Sequence, residues 1–534
     1  MVKKILSLTV AIMLLSVTVF ATVTPVTLAQ ASEEPVYTWA DGTSKIESLA
    51  IGDNTHLADL EAWDGETISE SLTGAGTEAS PYQIATGADL RKFADIVNTD
   101  GDTDAWAVLT SDINMGGKNW TSYAIGTTSA AYVGTFDGQG YTIYNLSTIS
   151  STNSSLRGLF GVLSGTAKNF NIVDFSSKNN VKTNGSSRTG AVCGTLDGGT
   201  IEKVTATGKI FNGGSSYYLI IAGGIAGFAQ KGATITNCKS SVEIDLTESL
   251  AKLSSGLTNA GIGGIVGTIA EGTTPAVTVS NCGYSGTINA PQNVHVGGIV
   301  GYSRDKSSAD VLTLENCYNQ GDITGLQYVA GIIGRRAYVK SFTAAAYNTG
   351  TIVARETTSP YVAGIANHVN RKTSENAHYV YSSGDVQVKA DENASDTFTG
   401  VLAGMLFTKS ATVSSKADLG SQWYYALNAT YTPVDSEEAI AKPINGFTDG
   451  GAYPTSNISA YRPTADGFGS ASVLERLNQE NTVSDFAADI GINDGKPILG
   501  WQANNLQLTG SNYEIKAPLY MYKTKQPAVV LTAG

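Results

Sequence analysis

Three carboxylates alternate in the loop of residues 98–106, at Asp100, Asp102 and Asp104. Oxygen ligands at the first, third and fifth places of a loop are how a calcium site begins. The later requirements are missing: the sixth place is Ala105 rather than Gly, and the twelfth is Ser111 rather than Glu. Calcium is thus a candidate on three residues, and no other cofactor is expected. The four histidines, His56, His295, His368 and His378, never begin a His-Glu-x-x-His pair, the helical zinc motif of metalloproteases. The four cysteines include no Cys-x-x-Cys spacing for a metal. Asp322 and Asp385 each follow a turn glycine at matching places, and glycan cleavage needs clustered carboxylates on one face. The same place carries Lys209, Thr287 and Thr351 in other copies, which reads as a solvated turn. Arg335-Arg336 is an unusual basic pair that could meet an anionic sugar or simply be hydrated.

These places match because the chain repeats. A five-residue core reads GAVCG from Gly190, GGIAG from Gly223, GGIVG from Gly263 and GGIVG from Gly297. It continues as AGIIG from Ala330, AGIAN from Ala363 and GVLAG from Gly400. The steps are 33, 40, 34, 33, 33 and 37 residues, a period that means a solenoid or an array. Between cores come TITNCKSS, VTVSNCGYSGTI and LTLENCYNQGDI, giving three short β segments per period and no helical pattern. Four-stranded propeller blades need about 40 residues, so three strands in 33 favour a parallel β-helix.

The third core place is always branched aliphatic, as in Ile225, Ile265 and Ile299, and is expected to point inward and stack on its copies. The glycines Gly223, Gly224, Gly263, Gly264, Gly297 and Gly298 are read as structural, permitting a tight bend or the close approach of another backbone. A phosphate-cradling role would need a βαβ context that is missing. Asn237-Cys238, Asn281-Cys282 and Asn316-Cys317 fall at equivalent places. In stacked coils about 4.8 Å apart the asparagines can form a ladder. Three equivalent cysteines cannot all pair with one another, so free buried thiols are expected.

Composition agrees with an all-β extracellular protein: 534 residues, only 15% charged, with 59 glycines. Lys3 and Lys4, the apolar run 5–21 and Ala29-Gln30-Ala31 form a secretory signal. Its removal takes two lysines and no acid, shifting the net charge from −13 to −15. Such a chain is a poor partner for nucleic acid or anionic membrane, and no later stretch could span a bilayer.

Gly158-Leu159-Phe160-Gly161 and the cores after it resemble the GLUG-motif repeats of secreted bacterial surface proteins. Residues 76–98 resemble the entry segment of that family. They read as a strand, Tyr82–Ile84, then a helix with Thr86 as N-cap, Asp89 three residues on, and an apolar face of Leu90, Phe93, Ala94 and Val97. Residues 111–120 and 134–146 resemble its first coils, and 492–501 its closing strand. The resemblance extends to bacterial immunoglobulin-A1 proteases that share the repeat, but the zinc motif of those enzymes is absent.

The expected architecture is all-β: a right-handed parallel β-helix with an N-terminal helical cap, its handedness taken from the crossover rule and the resemblance. The layout is a signal at 1–31, an extension or linker at 32–73, cap and first coils at 74–157, repeats at 158–404, C-terminal coils and closing segment at 405–502, and the start of an incomplete immunoglobulin-like repeat at 503–534. The expected function is a secreted or cell-surface, monomeric and non-catalytic adhesin or structural module for a host or neighbouring-cell glycan or protein. The alternatives are a polysaccharide-active β-helix enzyme and the non-catalytic region of a larger surface protease.

Overall fold

The computed structural model describes residues 59–150 with little interruption, most of 155–388 between short omitted connections, and separate stretches beyond, chiefly 474–478, 486–489 and 492–504. The segment 1–31, expected to be a secretory signal, lies outside the described residues. So do most of 503–534, except the antiparallel pair Gln507–Thr509 and Glu514–Lys516.

The period becomes a parallel β-helix. One coil comprises the strands Val277–Ser280, Gly283–Tyr284, Ile288–Asn289, His295–Gly297 and Val300–Ser303. Each pairs in parallel with its copy one period later. Among the described residues three long sheets run along the coils, as three segments per period predicted, and a short parallel sheet of Ala337–Tyr338, Val369–Arg371 and Leu406–Thr408 is added to them. One has eight strands, from Leu156–Arg157 to Phe398–Gly400, and another has six, from Phe160–Leu163 to Ile333–Arg335. The third and widest is creased at two corners, so a coil holds five short strands rather than three.

The first crease explains the Asn-Cys pairs. Asn237, Asn281 and Asn316 have φ of 54°, 49° and 51°, left-handed conformations that asparagine tolerates better than most residues. Register places Asn169 (φ 58°) and Lys203 (φ 53°) in the same column. The expected ladder is present on one rung, where Asn281 Nδ2 donates to Asn237 Oδ1 at 3.2 Å. The next residue turns inward. Phe170, Val204, Cys238, Cys282, Cys317, Ala346 and Val380 form one core column, so cysteine here is a small apolar filler.

All four cysteines are buried and free. Burial pushes the thiols of Cys193, Cys238 and Cys282 upward, away from reactive thiolate. Thiol labelling of the native protein is therefore expected to be silent, and denaturation should expose four reactive groups. A reactive thiol in the native state, or fewer than four after unfolding, would contradict this arrangement.

Ile225, Ile265, Ile299, Ile332 and Ile365 are all fully buried. The Ile265 and Ile299 amides reach the Ile299 and Ile332 carbonyls, each at 3.1 Å, so the aliphatic column is continuous. The glycines around it make a re-entrant bend. A Cβ on Gly297 would lie 2.1 Å from the Val300 carbonyl oxygen and 2.6 Å from the Gly334 nitrogen. The two arms of the bend thus fold toward each other, leaving no room for a Cβ at Gly297, although the same place takes Ala330 and Ala363 in the next two coils.

At the N-terminal end the helix Gly87–Asp95 forms with its capping box intact: Thr86 accepts from the Asp89 amide, and Asp89 accepts from the Thr86 amide. A π-helical turn, Ile96–Asp100, extends it. Leu90, Phe93, Ala94 and Val97 are buried as expected. Phe93 meets Tyr132 edge-on at 5.8 Å, closing the first coil's interior. Residues 61–73, part of the expected linker, pack onto this cap. Trp63 is buried against Trp120 at 5.8 Å, and its amide bonds the Asn114 carbonyl.

The closing segment differs from a terminal strand. Ile498–Leu499 pairs antiparallel with Phe486–Ala487 and leads into the short helix Gly500–Asn504. This unit lies on the flank of earlier coils. Trp501 Nε1 donates to the Asn316 carbonyl at 2.9 Å, Tyr347 OH to Gln502 Oε1 at 3.1 Å, and Asn493 Nδ2 to Tyr381 OH at 2.7 Å. It covers a parallel stack of Tyr318, Tyr347 and Tyr381, with ring centroids 5.2 and 5.1 Å apart.

Candidate binding seam

The re-entrant bend determines which residues meet on the outer face. A residue just before the core and another seven places later sit opposite each other across the bend. Coil by coil the pairs are Arg188 and Thr195, Ile221 and Phe228, Gly261 and Thr268, His295 and Tyr302, Tyr328 and Arg335. Each pair touches in the manner its chemistry allows. Arg188 Nη1 donates to Thr195 Oγ1 at 3.1 Å, and the Gly261 amide donates to Thr268 Oγ1 at 2.8 Å. His295 stacks on Tyr302 at 4.4 Å.

Stacking of coils then lines the pairs up lengthwise, with rings and guanidinium groups at both ends and Gly261 and Thr268 between them. Arg335 lies over the Tyr328 ring at 4.4 Å, and Tyr328 stacks on Tyr361 at 4.5 Å. Arg188 lies over Phe228 at 3.9 Å. Burial, and next the charge of Arg304, hold the Arg188 guanidinium below its usual range. The seam is thus basic and aromatic on a protein whose net charge is −13.

His295 is fully buried, with both ring nitrogens engaged. Nε2 lies 2.8 Å from Arg335 Nη1, and Nδ1 lies 3.2 Å from the Ala260 carbonyl oxygen. Arginine can only donate, so Nε2 accepts; the proton sits on Nδ1 and is given to Ala260. This imidazole is neutral and orients Arg335, and neither nitrogen is placed to move a substrate proton. Arg335 and Tyr361 keep partial exposure, whereas His295, Tyr302 and Tyr328 support them from below. The arrangement can offer ring edges and guanidinium donors to sugars or acidic groups.

The other candidates fall elsewhere. Asp102 and Asp104 lie close together, but no group of three or more His, Cys, Asp or Glu side chains among the described residues is arranged to hold a metal ion. Asp100 ends the π-helical turn and is exposed, while Asp102 is held above the usual carboxylate range by partial burial and then by the adjacent Asp104. Gly101 between Asp100 and Asp102 caps the π-helical turn at φ 84°.

Asp322 and Asp385 do share a column, but Thr351 lies between them. That places them two coils apart, about 9.6 Å along the axis, and Asp322 Oδ1 accepts the Thr351 amide at 2.8 Å. Arg335 is not merely hydrated, since it is bound to His295 and Tyr328. Arg336, His56, His368 and His378 lie outside the described residues. His295, Tyr302, Tyr328 and Tyr361 were not singled out from sequence. Their signal is the seven-residue offset, which appears only once the bend is known.

No family model matches the chain. Halomucin of Haloquadratum walsbyi is 29% identical over 187 residues, which are 34% of this chain and 2% of halomucin. The chain therefore aligns with a very small part of that relative. Among solved structures, a candidate immunoglobulin A1 protease from Bacteroides ovatus is 16% identical, with a TM-score of 0.37 over 80% of this chain and 94% of that one.

Proposed function

We propose that the chain is a non-catalytic binding module of a secreted or cell-surface protein, and that its seam engages an acidic glycan or acidic protein surface without a metal. The observation that carries this reading is two partly exposed guanidinium groups held over buried aromatic rings on one face of an acidic protein, Arg188 on Phe228 and, four coils on, Arg335 on Tyr328. The buried rings fix the two guanidinium groups in place, the partly exposed Tyr361 adds contact area, and arginine supplies paired donors for carboxylate or sulfate. The two guanidinium groups lie on the same line of the solenoid, about 19 Å apart along the axis, which suits an extended polymer. The sequence pattern of 1–31, read as a secretory signal, supports an extracellular setting, and no helix among the described residues is long and apolar enough to cross a membrane.

A glycan array containing uronate-bearing and sulfated sugars, with immobilised matrix proteins alongside, tests the reading. Wild type is expected to bind an acidic member, and Arg335→Ala to weaken it about tenfold. Asp322→Asn and addition of a chelator should leave binding unchanged. Depolymerisation of an acidic polysaccharide that is lost in Asp322→Asn would replace this reading with that of an enzyme.

A further inference from the structure

The interior of the solenoid is apolar in its middle coils and changes character in its first ones. One inward column reads Ala222, Ile262, Val296, Val329 and Val362, but begins with Arg157 and Thr189. A second reads Ile210, Ile244, Ile288, Ile323 and Ile352, but begins with Thr148 and Ser177. Between them Asn179 and Asn212 precede Leu246 and Ala290. Every one of these polar side chains is buried, and Arg157 is fully so.

Arg157 Nη1 donates to the Lys178 carbonyl oxygen at 3.1 Å, and Nη2 donates to Ser187 Oγ. Its buried Nε has no hydrogen-bond partner, and neither does the buried Oγ1 of Thr189, its direct neighbour on the next coil. A buried guanidinium needs a counter-charge, and among the described residues no carboxylate pairs with it. The connections 151–154, 181–185 and 213–218 contain no Asp or Glu, and one Lys. Burial with no opposing charge pulls the Arg157 guanidinium down to about 9.

We infer that Arg157 and Thr189 hold a small halide-type anion, chloride in ordinary buffers, inside the first coils. Arg157 supplies the charge and the Nε donor, and Thr189 supplies a hydroxyl donor. Two free donors suit a single spherical anion, whereas a carboxylate would need donors for both of its oxygens.

Crystals of the full chain grown in bromide decide the point. An anomalous peak within about 3.5 Å of Arg157 Nε is expected. In solution, at constant ionic strength with methanesulfonate as the replacement, the melting temperature should rise about 1–3 °C for each tenfold increase in chloride. Thr189→Val, which keeps the shape and removes the hydroxyl, should reduce that dependence, and Arg157→Met should abolish it. An ordered water or no density at the site, or an equal chloride response in Arg157→Met, would overturn the inference. If Arg157→Met does not fold, the bromide peak and the Thr189→Val titration still decide it.

Discussion

Ile299→Asp is expected to destabilise the protein by about 3–5 kcal/mol, close to the limit for a single substitution. The side chain is fully buried in a column continued by Ile265 on one side and Ile332 on the other. A carboxylate there has no cation within the column and no route to water. Because each coil leans only on its neighbours, the damage should spread as local opening of coils on both sides rather than as uniform loosening. Chemical denaturation and hydrogen exchange measure the two parts. Ile299→Val, as the control, should cost only about 0.5–1.5 kcal/mol. An Asp variant within 1 kcal/mol of wild type would mean that this column is not the structural axis of the repeat.

That column was legible because a repeat amplifies its signal. A branched aliphatic residue at the third place of seven cores has no other economical reading, and stacking follows from parallel strands at a fixed spacing. The cap was legible for a different reason: Thr86, Asp89 and the apolar face Leu90, Phe93, Ala94 and Val97 are local features, complete within one helix.

What escaped was whatever depends on corners. The creases that divide the widest sheet are single left-handed residues, and while Asn237 or Asn281 can be suspected, Lys203 in the same conformation cannot. The seam escaped because a seven-residue offset belongs neither to helix nor to strand and arises from the bend itself. The polar chamber around Arg157 escaped because its members come from three separate columns that share only the first coils. The closing segment 492–501 was recognised as a piece. That it lies on a tyrosine stack more than a hundred residues earlier follows from contacts such as Tyr381 with Asn493, which no local pattern reports.

The paired glycine of the core yields to the same reasoning. Its first member turns the backbone, but the second, Gly298, faces across the interior to the side chain of Asn319. A Cβ on Gly298 would stand 2.1 Å from the Gly331 carbonyl oxygen and 2.5 Å from Asn319 Cγ. Asn319 cannot withdraw easily, because its Nδ2 donates to Asn348 Oδ1 and to the Gly321 carbonyl, both at 2.8 Å. Neighbouring coils repeat the opposition: Gly224 faces Ser240, Gly264 faces the Tyr284 ring, and Gly331 faces Asn348. One coil departs from it in a telling way. Register brings Ala191 opposite Ala206, so a methyl on one side is matched by a methyl on the other.

Gly298→Ala alone is therefore expected to cost about 2–3 kcal/mol through overpacking. Asn319→Ala should also be costly, since it leaves Asn348 Oδ1 without its donor. Combining the two recreates the alanine pair of the earlier coil, and the double variant should be more stable than the sum of the single losses by at least about 1 kcal/mol. Denaturant midpoints for the four proteins of this cycle measure the coupling. Strict additivity would mean that Gly298 is required by the backbone of the next coil alone, and that the facing asparagine column has no part in selecting glycine.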